Sequence, residues 1–174
     1  VFLNPGGADR VAPELNGVRT MTGRIAARLA ELGLTLPEAP APAANYVPFV
    51  RVGEMLYVSG QIAQGPDGPI RGRLGADMDV ATGAAAARRC GLSLLAQARN
   101  ACGGDLDRVI RAVKLTGFVN STPDFTDQPK VINGCSDLLV EVLGDAGRHA
   151  RAAVSAASLP LGVAVEIEAI FQVI

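Results

Sequence analysis

The chain has 174 residues, of which 49% are hydrophobic and 19% charged, enough apolar material for one domain with a core. Its net charge of −1 leaves no cationic footprint for a phosphate backbone and disfavours nucleic acid as a partner. No run approaches the ~18 apolar residues of a membrane span and the N-terminus lacks a basic region followed by an apolar core, so a soluble, cytoplasmic protein is expected.

Residues 1–20 hold Pro, Gly and Asn without a sustained period and read as an extended arm. From Thr22, Ile25, Leu29 and Leu32 recur at helical spacing, with Thr22 placed to cap and Gly33 to terminate. Pro37, Pro40 and Pro42 then forbid a helix and give an extended linker. Residues 1–45 are therefore an arm, a short helix and a Pro-rich linker added to a main domain at 46–174.

That domain opens with strands at 46–52 and 55–61. They flank Gly53-Glu54, a two-residue connection that suits a II′ hairpin turn because Gly stands first. The Gly- and Pro-rich stretch 64–75 predicts a loop without regular structure. Residues 80–101 predict the longest helix, with an apolar stripe of Ala84, Ala87, Leu94, Leu95 and Ala98. Its alanines favour helix and allow close approach to a sheet. Gly103-Gly104 ends it. After a turn at 105–107, the β-branched stretch 109–119 is a strand, and a second helix spans about 130–142. Strands near 152–158 and 163–173, joined by Leu159-Pro-Leu-Gly162, finish the chain. The order β-β-α-β-α-β-β is an α+β sandwich, with helices on one face of a single sheet.

In the last strand, Val165, Ile167, Ala169, Phe171 and Val173 alternate with Glu166, Glu168, Ile170 and Gln172. The first set is a core face. The second is mixed, which suits an oligomer interface enclosing a polar pocket better than bulk solvent. Arg151 lies fifteen residues before Glu166, and a guanidinium and a carboxylate on apolar strands are costly to bury alone. Two readings stand: a cross-strand ion pair, or the polar floor of a small-molecule pocket. Glu168 shares the face of Glu166, so periodicity does not rank them.

Cys90, Cys102 and Cys135 form no Cys-x-x-Cys pair and His149 is the only histidine. A zinc site is disfavoured, and the thiols read as small buried hydrophobes in a reducing compartment. Ser59 has only His149 as a partner for a nucleophilic triad. Asn133 falls on the second helix, as a surface or capping residue or as a ligand.

Four strings in register resemble the YjgF family, the reactive-intermediate deaminases (RidA, endoribonuclease L-PSP). They are Leu56-Tyr-Val-Ser-Gly-Gln-Ile62, the stretch 108–118, Ala150-Arg151, and Leu159-Pro160 followed by Val165-Glu-Ile-Glu-Ala169. The likeness covers roughly residues 46–174. Tyr46 stands thirteen residues before Ser59, and Arg151 fifteen before Glu166, as in the family's deaminases. The resemblance implies a chorismate-mutase-like two-layer sandwich with one mixed sheet, assembled as a homotrimer with pockets between subunits. It implies hydrolysis of small imine or enamine carboxylates to a 2-keto acid and ammonia, without metal or organic cofactor.

On that resemblance, Arg151 grips the substrate carboxylate in a two-pronged contact, and Glu166 holds or deprotonates the attacking water. Ser59 and Gly60 border the pocket through backbone groups, Tyr46 closes a wall, and Asn133 lies nearby. The chain departs from the pattern where His149 replaces a Pro and where Ala152 and Ala153 replace hydroxyl and Cys positions. It also departs around Tyr46 and in an insertion near 125–133, and so resembles a divergent branch. The alternative to a deaminase is a non-catalytic module holding a small carboxylate metabolite at the same interface. The family's ribonuclease and translation-inhibitor labels imply a third function, RNA cleavage, which the balanced charge and single histidine disfavour.

Overall fold

The computed structural model describes residues 23–39 and 45–174; the arm expected at 1–20, the cap expected at Thr22 and Pro40 and Pro42 of the linker lie outside them. A five-stranded sheet has the order β1-β2-β7-β5-β6, built from β1 (Phe49–Val52), β2 (Met55–Ile62), β5 (Val109–Asn120), β6 (Ala150–Ala156) and β7 (Val165–Val173). Only β5 and β6 run parallel, and the crossover this pairing needs is α3 (Gln128–Leu143). The sheet is therefore mixed, within an α+β fold. Helix α2 (Val80–Ala101) and α3 cover one of its faces.

Close approach explains the small residues. A Cβ on Gly117 of β5 would strike the side chain of Ile132, and one on Gly134 of α3 would overlap the Ala84 carbonyl of α2. From Cys90 to Ala98, α2 is buried on every side, well beyond the expected stripe, because it lies between the sheet and α3. Asp79 caps α2, its carboxylate accepting from the Thr82 N–H at 2.7 Å.

The first hairpin has the expected turn. Gly53 sits at φ +60° while Glu54 keeps a negative φ, the II′ pattern. Three expectations need correction. Strand β1 starts at Phe49, leaving Tyr46 in a bend, since Pro48 removes a ladder donor. Residues 64–75 are not without regular structure: β3 (Gln64–Gly65) and β4 (Gly68–Pro69) pair around Pro66-Asp67, with Gly68 at φ +110° supplying the turn. Strand β6 begins at Ala150, two residues early, because its register is set by pairing with β5.

The short helix, α1 (Arg24–Glu31), docks on the same core, with Ile25 and Leu29 buried. Its N-terminal N–H groups are satisfied from a distance. Asp107 accepts from Arg24 N at 2.7 Å and Ile25 N at 2.8 Å, filling a cap's role. Gly33, at φ +63°, follows its end as expected.

Candidate functional site

On β7 the alternation is as expected. Val165, Ile167, Ala169, Phe171 and Val173 are buried under the helices; Glu166, Ile170 and Gln172 are half-buried, and Glu168 is exposed, on the other face. Register extends this open face across the sheet through Val50, Tyr57, Ile62, Phe118 and Val154. Of these, Val50, Tyr57 and Val154 are exposed large hydrophobics.

Glu166 pairs across the ladders with Ile62 and Phe118. The β2–β7 register slips between Val58 and Gln61, so Ser59 and Gly60 form a bulge opposite Glu168. The buried Gln61 side chain holds the bulge, its Nε2 donating to Ser59 O at 2.9 Å and Gly60 O at 3.3 Å. The Glu166 carboxylate lies directly over Gly60, where an added Cβ would collide with Glu166 Oε1. Glycine lets the carboxylate sit there; any larger residue would make the Glu166 side chain shift. Desolvation, and then the neighbouring Glu168 carboxylate, push the Glu166 pKa above the ordinary 4.5. Ser59 Oγ donates to Val47 O at 2.8 Å and Ser59 N to Pro48 O at 3.0 Å. These bonds strap the segment carrying the exposed Tyr46 against the bulge.

Arg151 is elsewhere. Its register partner is Leu115, which is buried beneath the helices and pairs in turn with Ala169. Arg151 therefore points to the helix side of the edge strand β6, and reaches α3. Nη1 donates to Asn133 Oδ1 at 2.8 Å and to Ser136 Oγ at 3.0 Å, two residues three apart on one helix face. Both Nη1 hydrogens are then engaged, and the Nε–Nη2 edge of the fork has no partner among the described residues. His149 stands beside this group, its Nε2 at 3.1 Å from Ser136 Oγ and its Nδ1 at 2.6 Å from Gly147 O. Arg148, His149 and Arg151 line an open cleft of about 270 Å³ together with Ser136, Asp137 and Val140.

The structure thus forms two clusters from the expected residues. Glu166, Gly60 and Ser59 meet on the open face, with Tyr46 strapped close by; Arg151 and Asn133 meet at the β6 edge. Glu166 and Arg151 are two strands apart on opposite faces, so the cross-strand ion pair does not form within a protomer. Asn133 sits mid-helix as a partner of Arg151, and the N-cap of α3 is Asp127. A Ser59–His149 triad does not form within a protomer either, since Ser59 bonds Val47 and His149 bonds Ser136.

Ser136 carries no signal in the sequence as a site residue, and His149 is weighed there only as a triad partner of Ser59. Ser136 lies three residues after Asn133, but spacing along a helix does not say which strand edge that face will meet. All three cysteines are buried. Burial raises the Cys102 thiol, drives Cys90 well up and takes Cys135 to about 12, so none is a ready nucleophile. Among the described residues no three His, Cys, Asp or Glu side chains converge on a metal position, and no helix is long and apolar enough to cross a membrane.

Comparison with known proteins agrees with this architecture. Residues 26–171 match the profile of the family described as "YjgF/chorismate_mutase-like, putative endoribonuclease". The chain is 52% identical over 153 residues to Protein TCP17 of Trypanosoma cruzi, covering 87% of this chain and 95% of that protein. Among solved structures it is similar to Atu1372, described as of unknown function, from Agrobacterium tumefaciens. That match has 50% identity and TM-score 0.80, over 86% of this chain and 92% of the other. A "putative endoribonuclease" from Shewanella oneidensis matches at 36% identity and TM-score 0.82, over 86% and 99%.

Proposed function

The chain belongs to the YjgF/chorismate-mutase-like family, and from that premise we propose that it is a cofactor-independent deaminase of small imine or enamine carboxylates. The observation that carries this reading is the Arg151 guanidinium. It is clamped through Nη1 by Asn133 and Ser136, while its Nε–Nη2 edge has no partner among the described residues and is left for a carboxylate. Arg suits this role because its planar fork takes two carboxylate oxygens at once.

Glu166 supplies the second half of the chemistry. Its raised pKa makes it a stronger base than an ordinary carboxylate when ionised. Water held by Glu166 adds to the imine carbon, and the proton it gives up passes through the carboxylate to the imine nitrogen. The resulting carbinolamine expels ammonia and leaves a 2-keto acid. Backbone groups of the Ser59–Gly60 bulge and the ring of Tyr46 border the reacting centre. Imines hydrolyse readily, so positioning and modest electrostatic help suffice.

One protomer holds Arg151 and Glu166 on opposite sheet faces, so a site that uses both needs two copies of the chain. The exposed apolar residues of the open face and the uncovered edge strand β6 are two surfaces such an assembly would hide. We take the assembly to be a homotrimer acting in the cytoplasm. We take residues 46–174 to be the unit carrying the site, and α1 to be an addition to it.

A coupled amino-acid-oxidase assay, which generates imines in place, tests the reading. Arg151→Ala should lower turnover by about a hundredfold or more with the assembly intact by gel filtration, and unchanged turnover would contradict it. The replacement of Pro by His149 and of polar positions by Ala152 and Ala153 favours the second reading, a carboxylate-binding module. Glu166→Gln separates the two: the ligand still binds in both cases, and only an enzyme loses a rate.

A further inference from the structure

We propose that Ser136 and His149 form a relay that positions Arg151 for its anion, with His149 held in the Nδ1–H tautomer. The inference rests on the reading of Arg151 as a carboxylate clamp and adds two residues to it. For the neutral imidazole the hydrogen bonds leave one consistent assignment. Gly147 O is an acceptor only, so the 2.6 Å contact makes His149 Nδ1 the donor. In the neutral ring Nε2 then carries a lone pair, and the Ser136 hydroxyl donates to it at 3.1 Å. With its proton committed there, Ser136 Oγ turns a lone pair toward Arg151 Nη1 at 3.0 Å. Asn133 Oδ1 takes the other Nη1 hydrogen at 2.8 Å.

The backbone fixes the relay at both ends. A Cβ on Gly147 would run into the Leu139 backbone, so the turn that presents its carbonyl to His149 is pressed against α3. Gly117 and Gly134 seat α3 against β5 and α2 at contact distance, which sets where Asn133 and Ser136 meet the β6 edge. The relay resembles the outer partners that orient metal-binding histidines, transferred to a guanidinium. An exposed Arg would sample many rotamers; here it is held through one nitrogen, and the edge left over is the one that suits a carboxylate.

The test uses the intact assembly and two readouts. His149 is the only histidine, so ring ¹⁵N spectra of the labelled protein report its tautomer without assignment. They should show Nδ1 protonated and Nε2 as acceptor; the opposite tautomer overturns the relay. Binding of 2-ketobutyrate, by calorimetry, should weaken about tenfold in Ser136→Ala, which loses one charge-assisted bond, and about as much in His149→Leu, which frees the Ser136 hydroxyl to turn from Arg151. His149→Gln, whose Oε1 can replace Nε2 as acceptor, should stay within about threefold of the parent. Should His149→Leu misfold, Ser136→Ala, which removes one oxygen, still decides. If Arg151→Ala loses the ligand while Ser136→Ala and His149→Leu keep it, the relay fails and the clamp stands. If the parent does not bind, or Arg151→Ala binds as well as the parent, the clamp and the relay fail together.

Discussion

Arg151 and Glu166 stand on opposite faces of one sheet, with β5 between their strands. Their register positions on β5, Leu115 and Phe118, differ by three residues. The two Cα atoms are therefore separated by roughly 10 Å across the sheet and roughly 10 Å along it. Neither an ion pair nor a shared pocket can form inside a protomer. On the proposed reading, that separation makes the two residues halves of a site that two copies of the chain complete.

The arginine prediction follows from its unengaged edge. Two charge-assisted hydrogen bonds contribute about 1.5–3 kcal/mol each. Arg151→Ala should then lower kcat/KM by about 10²- to 10⁴-fold. Arg151→Lys should recover little, because an ammonium cannot reach Asn133, Ser136 and both carboxylate oxygens together. Steady-state kinetics with imines generated in place reads both variants.

Glu166 predicts a pH dependence of rate. Its pKa is raised by desolvation and then by Glu168, and it must be ionised to act as base. The acid limb of kcat/KM should fall at a pH above the ordinary 4.5, and Glu166→Gln should remove that limb along with most of the rate. Glu168→Gln should move the limb back toward acid, since a like charge is withdrawn.

The same group predicts a pH dependence of stability. A carboxyl whose folded pKa lies above its unfolded value binds more protons in the native state. Its contribution is present below the unfolded pKa and is lost as pH rises through the folded one. Glu166→Gln should therefore raise the melting temperature at pH 7–8, and the gain should vanish as pH falls below about 4.5. Scanning calorimetry of parent and variant across that range checks the sign.

Gly60→Ala tests the bulge. The new methyl must displace Glu166 Oε1, so kcat should drop by about 10- to 100-fold, a part of what a positioned base contributes. Carboxylate binding at Arg151 should change little, because the methyl displaces the Glu166 side chain and not the guanidinium. A variant with parental kcat would remove Glu166 from the reaction.

Asp107 reports on α1. Asp107→Ala leaves two N-terminal N–H groups of α1 without their acceptor and should cost about 1–2 kcal/mol. Urea unfolding measures the loss, and limited proteolysis should then cut ahead of β1.

Much of the sheet was legible because its signals are local. The β7 alternation, the Gly53 turn and the Ala-rich α2 each follow from neighbours in sequence, and Glu166 and Gly60 could be placed from the strands that carry them. Pairing register was less visible. That a bulge at Ser59–Gly60 would bring Gly60 under Glu166 depends on a slip against β7. That Arg151 would leave the face of Glu166 depends on the parallel pairing of β6 with β5. Asp107 capping α1, and Ser136 and His149 holding Arg151, join segments far apart in the chain or on different elements. No periodicity within either segment records such contacts.

The shared site is tested most directly by co-assembly. Arg151→Ala and Glu166→Gln proteins, each inactive alone, are mixed, unfolded and refolded together so that subunits exchange. If each site takes Arg151 from one copy and Glu166 from another, random assembly of equal amounts restores roughly one quarter of the parental sites. Activity rising to that level is the predicted result. A mixture as inactive as its parents, with mixed assemblies present by native mass spectrometry, would contradict the account.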